Sequence, residues 1–282
     1  MRRPYSPTVR RRRLAKELRH LREEAGFTVT QAARETGTRQ PTLTRIELGQ
    51  QHVTAPVLER LLDLYGVTDQ ARREAFAQLA RDAKERGWWA KYRDVFHGSL
   101  PDLESEAEVI RAFEAQVIPG LLQTPDYIEA IFRGGRAHEE AAVHKAVDAR
   151  MKRQEILNRV HPPRFEAVID EGALRRLIGG REVMREQLQR LVNMATRHNI
   201  TIRVLPFDAG EHAAIAGAFT ILDFPEAFDP SVVFTETPTD TLLVEEPPEL
   251  DRYNEIFGHI LGSALVPAKS VTFLKQVIED LT

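Results

Sequence analysis

The sequence contains no cysteine, which excludes disulfides, thiolate catalysis and cysteine-ligated zinc and fits a reducing compartment. It also lacks an apolar run of about 18 residues, the length a membrane-spanning helix needs. Basic residues near the start are not followed by an apolar stretch, so no secretory signal is read there and the expected location is cytoplasmic, without a membrane partner. HExxH, G-x-S-x-G, GxxxxGK[ST] and a strand followed by GxGxxG are all missing, as are internal repeats and low-complexity tracts. These absences remove the common signatures of zinc hydrolases, serine hydrolases and nucleotide-binding enzymes. The expectation is a protein that is not an enzyme and needs neither cofactor nor metal.

The chain has 282 residues, 42% hydrophobic and 29% charged, a globular balance with room for two domains. Its net charge of −3 hides an asymmetry. Residues 1–94 carry 20 Lys/Arg against 12 Asp/Glu, or +8, and the remainder carries 19 against 30, or −11. A basic head on an acidic body suits a protein that meets nucleic acid through its head, because phosphate neutralisation supplies most non-specific affinity. The densest positive run, Arg10–Arg13 with Arg2 and Arg3, is read as making phosphate contacts or as an arm along the groove, with Arg10 and Arg11 as the candidates. Such contacts position a protein but read no sequence.

The stretch Thr28–Gly49, TVTQAARETGTRQPTLTRIELG, predicts two short helices and a tight turn. Thr28 followed by Gln31 is a capping box. Ala32 and Ala33 are small enough for a second helix to cross closely, and Gly37 suits the positive φ past a helix end. Pro41 fits the first turn of the second helix. Leu43 and Ile46 turn inward, leaving Arg39, Gln40, Thr42, Thr44 and Arg45 as an exposed polar face. That is the construction of a helix-turn-helix, whose second helix enters the major groove of DNA. The expected partner is therefore double-stranded DNA, with Arg45 suited to guanine and Gln40 to adenine. An amphipathic helix on Leu14, Leu18, Leu21 and Ala25 precedes the pair, and another on Leu58, Leu61, Leu62 and Tyr65 follows it.

Leu18, Arg22, Gly26, Thr28, Ala33, Gly37, Leu43, Ile46, Glu47 and Gly49, in that order and spacing, resemble the Cro/repressor or xenobiotic-response-element helix-turn-helix family. The resemblance implies a transcriptional regulator, and it implies that Arg22 pairs with Glu47. Where that family often places a phosphate-holding Gln, this chain has Val29, so Gln31 or Thr30 would have to supply the contact. A homodimer is expected, because one small module reads few bases.

The expected organisation is a flexible arm at 1–9, a DNA-binding head at 10–67, a helical connector at 68–94 and a regulatory domain at 95–282. The fold class is α+β, an all-α head before a larger mixed domain. In the connector, Trp88, Trp89 and Tyr92 are read as an interdomain plug. Beyond it, Glu104–Ala115 reads as a helix, as do Pro125–Phe132, His138–Arg159, Arg181–His198, Glu249–Ala264 and Ala268–Leu281. Strands are read at Phe165–Asp170, Ile200–Leu205, Ala218–Phe224, Val232–Thr235 and Thr241–Val244. IPGLLQTPDY, RQEIL, DEGALRR, REQLQRL and VLPFDAGEHAAIAGAFTILDFPE resemble the uncharacterised C-terminal domain fused to such heads in actinobacterial regulators. That resemblance implies a regulatory, interacting domain that takes a small acidic protein partner; a small-molecule effector is a separate expectation for the same domain. The alternative is an antitoxin-like or sequestering interaction module in which DNA binding is secondary. Glu171, Glu211, His212 and Glu236 all fall at the ends of predicted strands or just beyond and are the set from which acid–base or metal chemistry could be assembled. His212 reads first as a loop residue supporting a hairpin, and Asp170–Glu171 as a helix N-terminus. Glu236 is either a buried hydrogen-bonded carboxylate or a ligand-recognition acid.

Overall fold

The computed structural model describes residues 9–84, 88–92, 94–96, 99–135, 139–225, 231–237 and 239–281. The arm expected at 1–9 lies outside them except for Val9. The chain divides into two compact units, Met1–Ala90 and Lys91–Thr282.

Among its described residues the first unit has helices and no strand. It consists of α1 (Val9–Glu24), α2 (Val29–Glu35), α3 (Gln40–Glu47), α4 (Ala55–Leu64) and α5 (Gln70–Asp82). Leu14, Leu18 and Leu21 of α1, Ala32 and Ala33 of α2, Leu43 and Ile46 of α3, and Leu58, Leu61 and Leu62 of α4 form one core. Ala25 does not join that stripe; it is exposed beyond the end of α1. Phe76 and Ala80 of α5 are buried in the same core. The helix after Val67, which the sequence leaves open as the last helix of the head, a spacer or a dimerisation helix, packs its apolar face against α1 and α4 as the fifth helix of the head. Arg10–Arg13 lie within α1, which leaves phosphate contact rather than an arm along the groove as the reading of this run.

The second unit is α+β. Its helices are α6 (Leu100–Glu106), α7 (Pro125–Gly134), α8 (Glu140–Gln154), α9 (Glu171–Arg175), α10 (Arg181–Met194), α11 (Pro247–Ser263) and α12 (Pro267–Asp280). Its strands are β1 (Val109–Glu114), β2 (Arg164–Asp170), β3 (Ile200–Leu205), β4 (Phe219–Asp223), β5 (Val232–Glu236) and β6 (Thr241–Val244). They form one sheet in the order β3-β2-β1-β4-β5-β6. β1 and β2, and β2 and β3, pair in parallel; β4, β5 and β6 add antiparallel pairs.

The helix expected over Glu104–Ala115 is therefore a short helix followed by a central strand. Strand β1 is buried on both faces, Ile110 and Ala112 on one and Phe113 on the other, so it lacks the polar alternation that marks a half-exposed strand. Phe113 packs with Val168, Phe219, Val233, Phe257 and Ile260 in a core under α11. Arg111 ties this face together, its Nε and Nη2 on Asp223 at 3.0 and 2.9 Å and its Nη1 on Asn254 at 2.8 Å. The outer edge of β3 is covered by the turn into α12. Val204 N–H donates to Ser270 Oγ at 3.0 Å, and Val204 C=O accepts from Leu265 N–H at 2.8 Å. Among the described residues no single helix is long and apolar enough to cross a membrane. The α11–α12 pair passes that test only jointly, across a 66° bend, and buries Phe257, Ile260, Leu274 and Val277.

Candidate functional site

In the head, the sequence around α2 and α3 fixes the placement of one exposed polar face. Thr28 Oγ1 accepts from Gln31 N–H at 3.2 Å, and Gln31 Oε1 accepts from Thr28 N–H at 2.9 Å, so α2 starts on a closed capping box. Gly37 turns the chain at φ +63°, a conformation that an L side chain adopts only under strain. α3 then starts at Gln40 with Arg39 as its N-cap, without a side-chain cap. Leu43 and Ile46 anchor it in the core.

A buried ion pair holds the far end of α3. Arg22 Nε and Nη2 donate to Glu47 Oε1 and Oε2 at 2.8 and 3.0 Å, and Arg22 Nη1 donates to Phe27 C=O at 2.7 Å. The two side chains are only 8% and 5% exposed. The hydrogen bond to Glu47 holds the Arg22 guanidinium above its ordinary range, against the opposing effect of burial. One arginine thus joins α1, the turn before α2 and the end of α3 (bidentate geometry fixes orientation as well as distance).

Arg39, Gln40 and Arg45 are exposed, and Thr42 and Thr44 half-buried. Gln40 Nε2 donates to Thr44 Oγ1 at 3.2 Å, and Thr44 Oγ1 donates to Gln40 C=O at 3.0 Å. Arg45 Nε reaches only the C=O of Pro41, at 3.3 Å, which leaves its two terminal amino groups for an external acceptor. Gln31 is exposed with its amide oxygen spent on the capping box, so it meets a phosphate only through its NH2. Arg11 departs from its expected place. It is 4% exposed, with Nη1 3.3 Å from His52 Nε2, and is withdrawn from the DNA-facing set because its position on α1 points into the module. Arg10 remains half-buried on the same helix.

The acid–histidine set does not assemble in the second unit. Glu171 is 7% exposed; its Oε1 accepts from Arg175 Nε at 2.5 Å and its Oε2 from Phe207 N–H at 2.8 Å. It is a structural carboxylate between α9 and the end of β3. His212 lies edge-on to Phe113, ring centres 5.6 Å apart, and Glu211 is exposed. No group of three His, Asp or Glu among the described residues is arranged to hold a metal.

The polar concentration is elsewhere, around the loop after β1. Gln154 Nε2 donates to Gly120 C=O and Gln123 C=O at 3.0 and 2.8 Å. Gln187 donates to Leu122 C=O at 2.9 Å and accepts from Thr124 N–H at 2.7 Å. Arg153 pairs bidentately with Glu104 at 2.6 and 2.7 Å. Beside them stand Glu114, Arg150 and Tyr127. Burial pushes the Glu114 carboxyl up to about 7, opposed by Arg153 and Arg150. Burial also pushes Tyr127 up to about 12 and Arg150 down to about 10. Glu114 escaped the sequence reading because its strand reads as helix; the signal present was RAFE ahead of the Pro119–Gly120 turn, an acid at the end of an apolar run.

A family described as a domain of unknown function (DUF5753) matches residues 98–276, more than half of the chain. The chain belongs to that family. A helix-turn-helix domain matches residues 13–76, which takes in all of α2, α3 and α4 and half of α5. Neither a curated protein nor a solved structure matches this DUF5753 chain. The head is thus a DNA-binding helix-turn-helix domain of regulatory type, fused to a DUF5753 body.

Proposed function

We propose that this DUF5753 protein is a sequence-specific transcriptional regulator of Cro/repressor type, acting in the cytoplasm as a homodimer. Arg39, Gln40, Thr42, Thr44 and Arg45 read base edges or bind adjacent phosphates, with Gln31 and Arg10 on the backbone. The observation that carries the reading is the exposed face of α3, held rigidly by the buried Arg22–Glu47 pair. A pre-set helix spends little binding energy on ordering. The second domain carries the regulatory input. Its residues belong to a segment of charge −11, which repels an acidic protein at long range and favours a small ligand as the signal. Selection of bound fragments from a random DNA pool tests the DNA reading. Two related half-sites are expected. Binding without any enriched sequence, vanishing steeply with salt, rules the specific reading out because only the phosphate contribution is then present.

A further inference from the structure

The carboxyl edge of the sheet holds charges that do not pair with one another. Glu114 ends β1 and Glu236 ends β5. Phe113 pairs with Phe219, Ala112 with Thr220, and Thr220 with Phe234. Carried to the edge, that register sets Ala218 between Glu114 and Glu236. The two carboxylates therefore share one face of the sheet, two strand spacings or about 10 Å apart, with only a methyl group between them. It is the face opposite Phe113 and α11, because side chains alternate along a strand.

Helix α8 brings two guanidinium groups to this edge. The helix is tied to the loop that leaves β1, Gln154 Nε2 donating to Gly120 C=O and Gln123 C=O and Arg150 Nη1 to Gln123 Oε1, and both arginines oppose the effect of burial on the Glu114 carboxyl. Arg153 is spent on Glu104, and it lies over Gly120, where a Cβ would meet its Nη1 at 3.1 Å. Arg150 is not spent. Its hydrogen bond goes to the neutral Gln123 Oε1 at 2.5 Å, and its flat face lies 5.0 Å from the Phe132 ring centre. Neither the Glu114 nor the Glu236 side chain has a hydrogen bond or ion pair among the described residues. Tyr127 accepts from Ile118 N–H at 3.1 Å, which leaves its O–H proton to be given.

A cluster built for stability pairs its buried charges, because a partly buried charge without a partner is costly; Glu114 and Arg150 are partly buried, and Glu236 stands exposed beside them. This one keeps an arginine and two carboxylates within each other's field and apart. The place is also where the chain's connections reverse. From β1 the parallel strands run outward through β2 to β3, and β4 then starts on the other side of β1. Because β4 is antiparallel to β1 and to β5, this edge carries the carboxyl ends of β1 and β5 with the start of β4 between them.

We propose that this edge binds a small zwitterion of the α-amino-acid class, its ammonium between Glu114 and Glu236 and its carboxylate on Arg150. A simple anion would meet two carboxylates, and a simple cation would meet Arg150 and Arg153; a molecule with both charges satisfies all the unspent groups. The proposal supplies the ligand for the regulatory half of the reading above. Its test involves no DNA, so the two can fail separately.

The experiment is thermal unfolding of the full-length protein with each of the twenty free α-amino acids, and with the des-amino and decarboxylated analogues of any that act. At saturation at least one amino acid is expected to raise Tm by about 2–4 °C, with both analogues far weaker. Glu236→Gln alters an exposed side chain without bonds, so folding should survive it, and it should weaken the apparent affinity at least about tenfold. Arg150→Met should do the same, while Glu211→Gln leaves the shift intact. The proposal is overturned if no amino acid raises Tm, if the amine or the acid alone acts equally well, or if Glu236→Gln leaves the apparent affinity unchanged.

Discussion

Two residues set how the units respond to charge. Glu114 is raised to about 7 from an ordinary 4.5 chiefly by burial. The folded state then holds more protons than the unfolded state between those values, so stability falls as pH rises through 7. Glu114→Gln should remove that slope and stabilise the body by about 1–2 kcal/mol at pH 8, a fraction of the full shift because the side chain is partly exposed. Urea unfolding of both proteins at pH 5.5 and 8 measures it; an unchanged difference between the two pH values would reject the assignment. Arg22 is the opposite case, a buried charge fully partnered. Arg22→Ala strands Glu47 and should cost about 3–5 kcal/mol, whereas Arg22→Met with Glu47→Leu should recover much of the loss. If the double variant is no better than the single one, the stranded carboxylate is not the cause. The Arg22–Glu47 pair was legible only through the resemblance to the Cro/repressor family, whose motif both residues belong to. Glu114 was not, since its partners come from helices and strands distant in the chain.

At the scale of elements, local signals sufficed where an element has one wet face. Strand β3, ITIRVL, alternates apolar and polar residues and was read with its observed bounds. Thr124 and Pro125 announced the start of α7, where Thr124 Oγ1 accepts from Tyr127 N–H. Strand β1 failed for a physical reason: Val109, Ile110 and Phe113 fit helical spacing, and a strand covered on both faces offers no polar alternation to contradict it. Its state is set by β2 and β4, which pair with it from 50 to over 100 residues away. Edge protection of β3 was equally invisible, because Ser270 meets Val204 only in the fold. Ser270→Ala should leave the Val204 N–H buried without an acceptor and cost about 1–3 kcal/mol, seen as a lower urea midpoint with unchanged slope. A neutral substitution would mean that another acceptor reaches this amide.

For the whole molecule, the division of charge makes DNA affinity and head stability separable. Each phosphate contact removed from the head should reduce the slope of log K against log salt by about 0.9. Arg39→Ala removes an exposed cation at the N-cap of α3 and should weaken binding to all sequences evenly while flattening that slope. Arg45→Ala should instead cost about 1–3 kcal/mol on the preferred site and relax one base position. Arg11, 4% exposed and directed to His52, belongs to neither class; Arg11→Ala should lower the melting temperature of the head and leave the salt slope as it was. Binding titrations of the three variants at several salt concentrations, on a selected site and on a scrambled one, separate these outcomes. If Arg45→Ala proved indistinguishable from Arg39→Ala on both DNAs, the face of α3 would be holding the backbone rather than reading bases. The sequence specificity would then have to come from DNA shape, which a basic head can sense without touching a base edge.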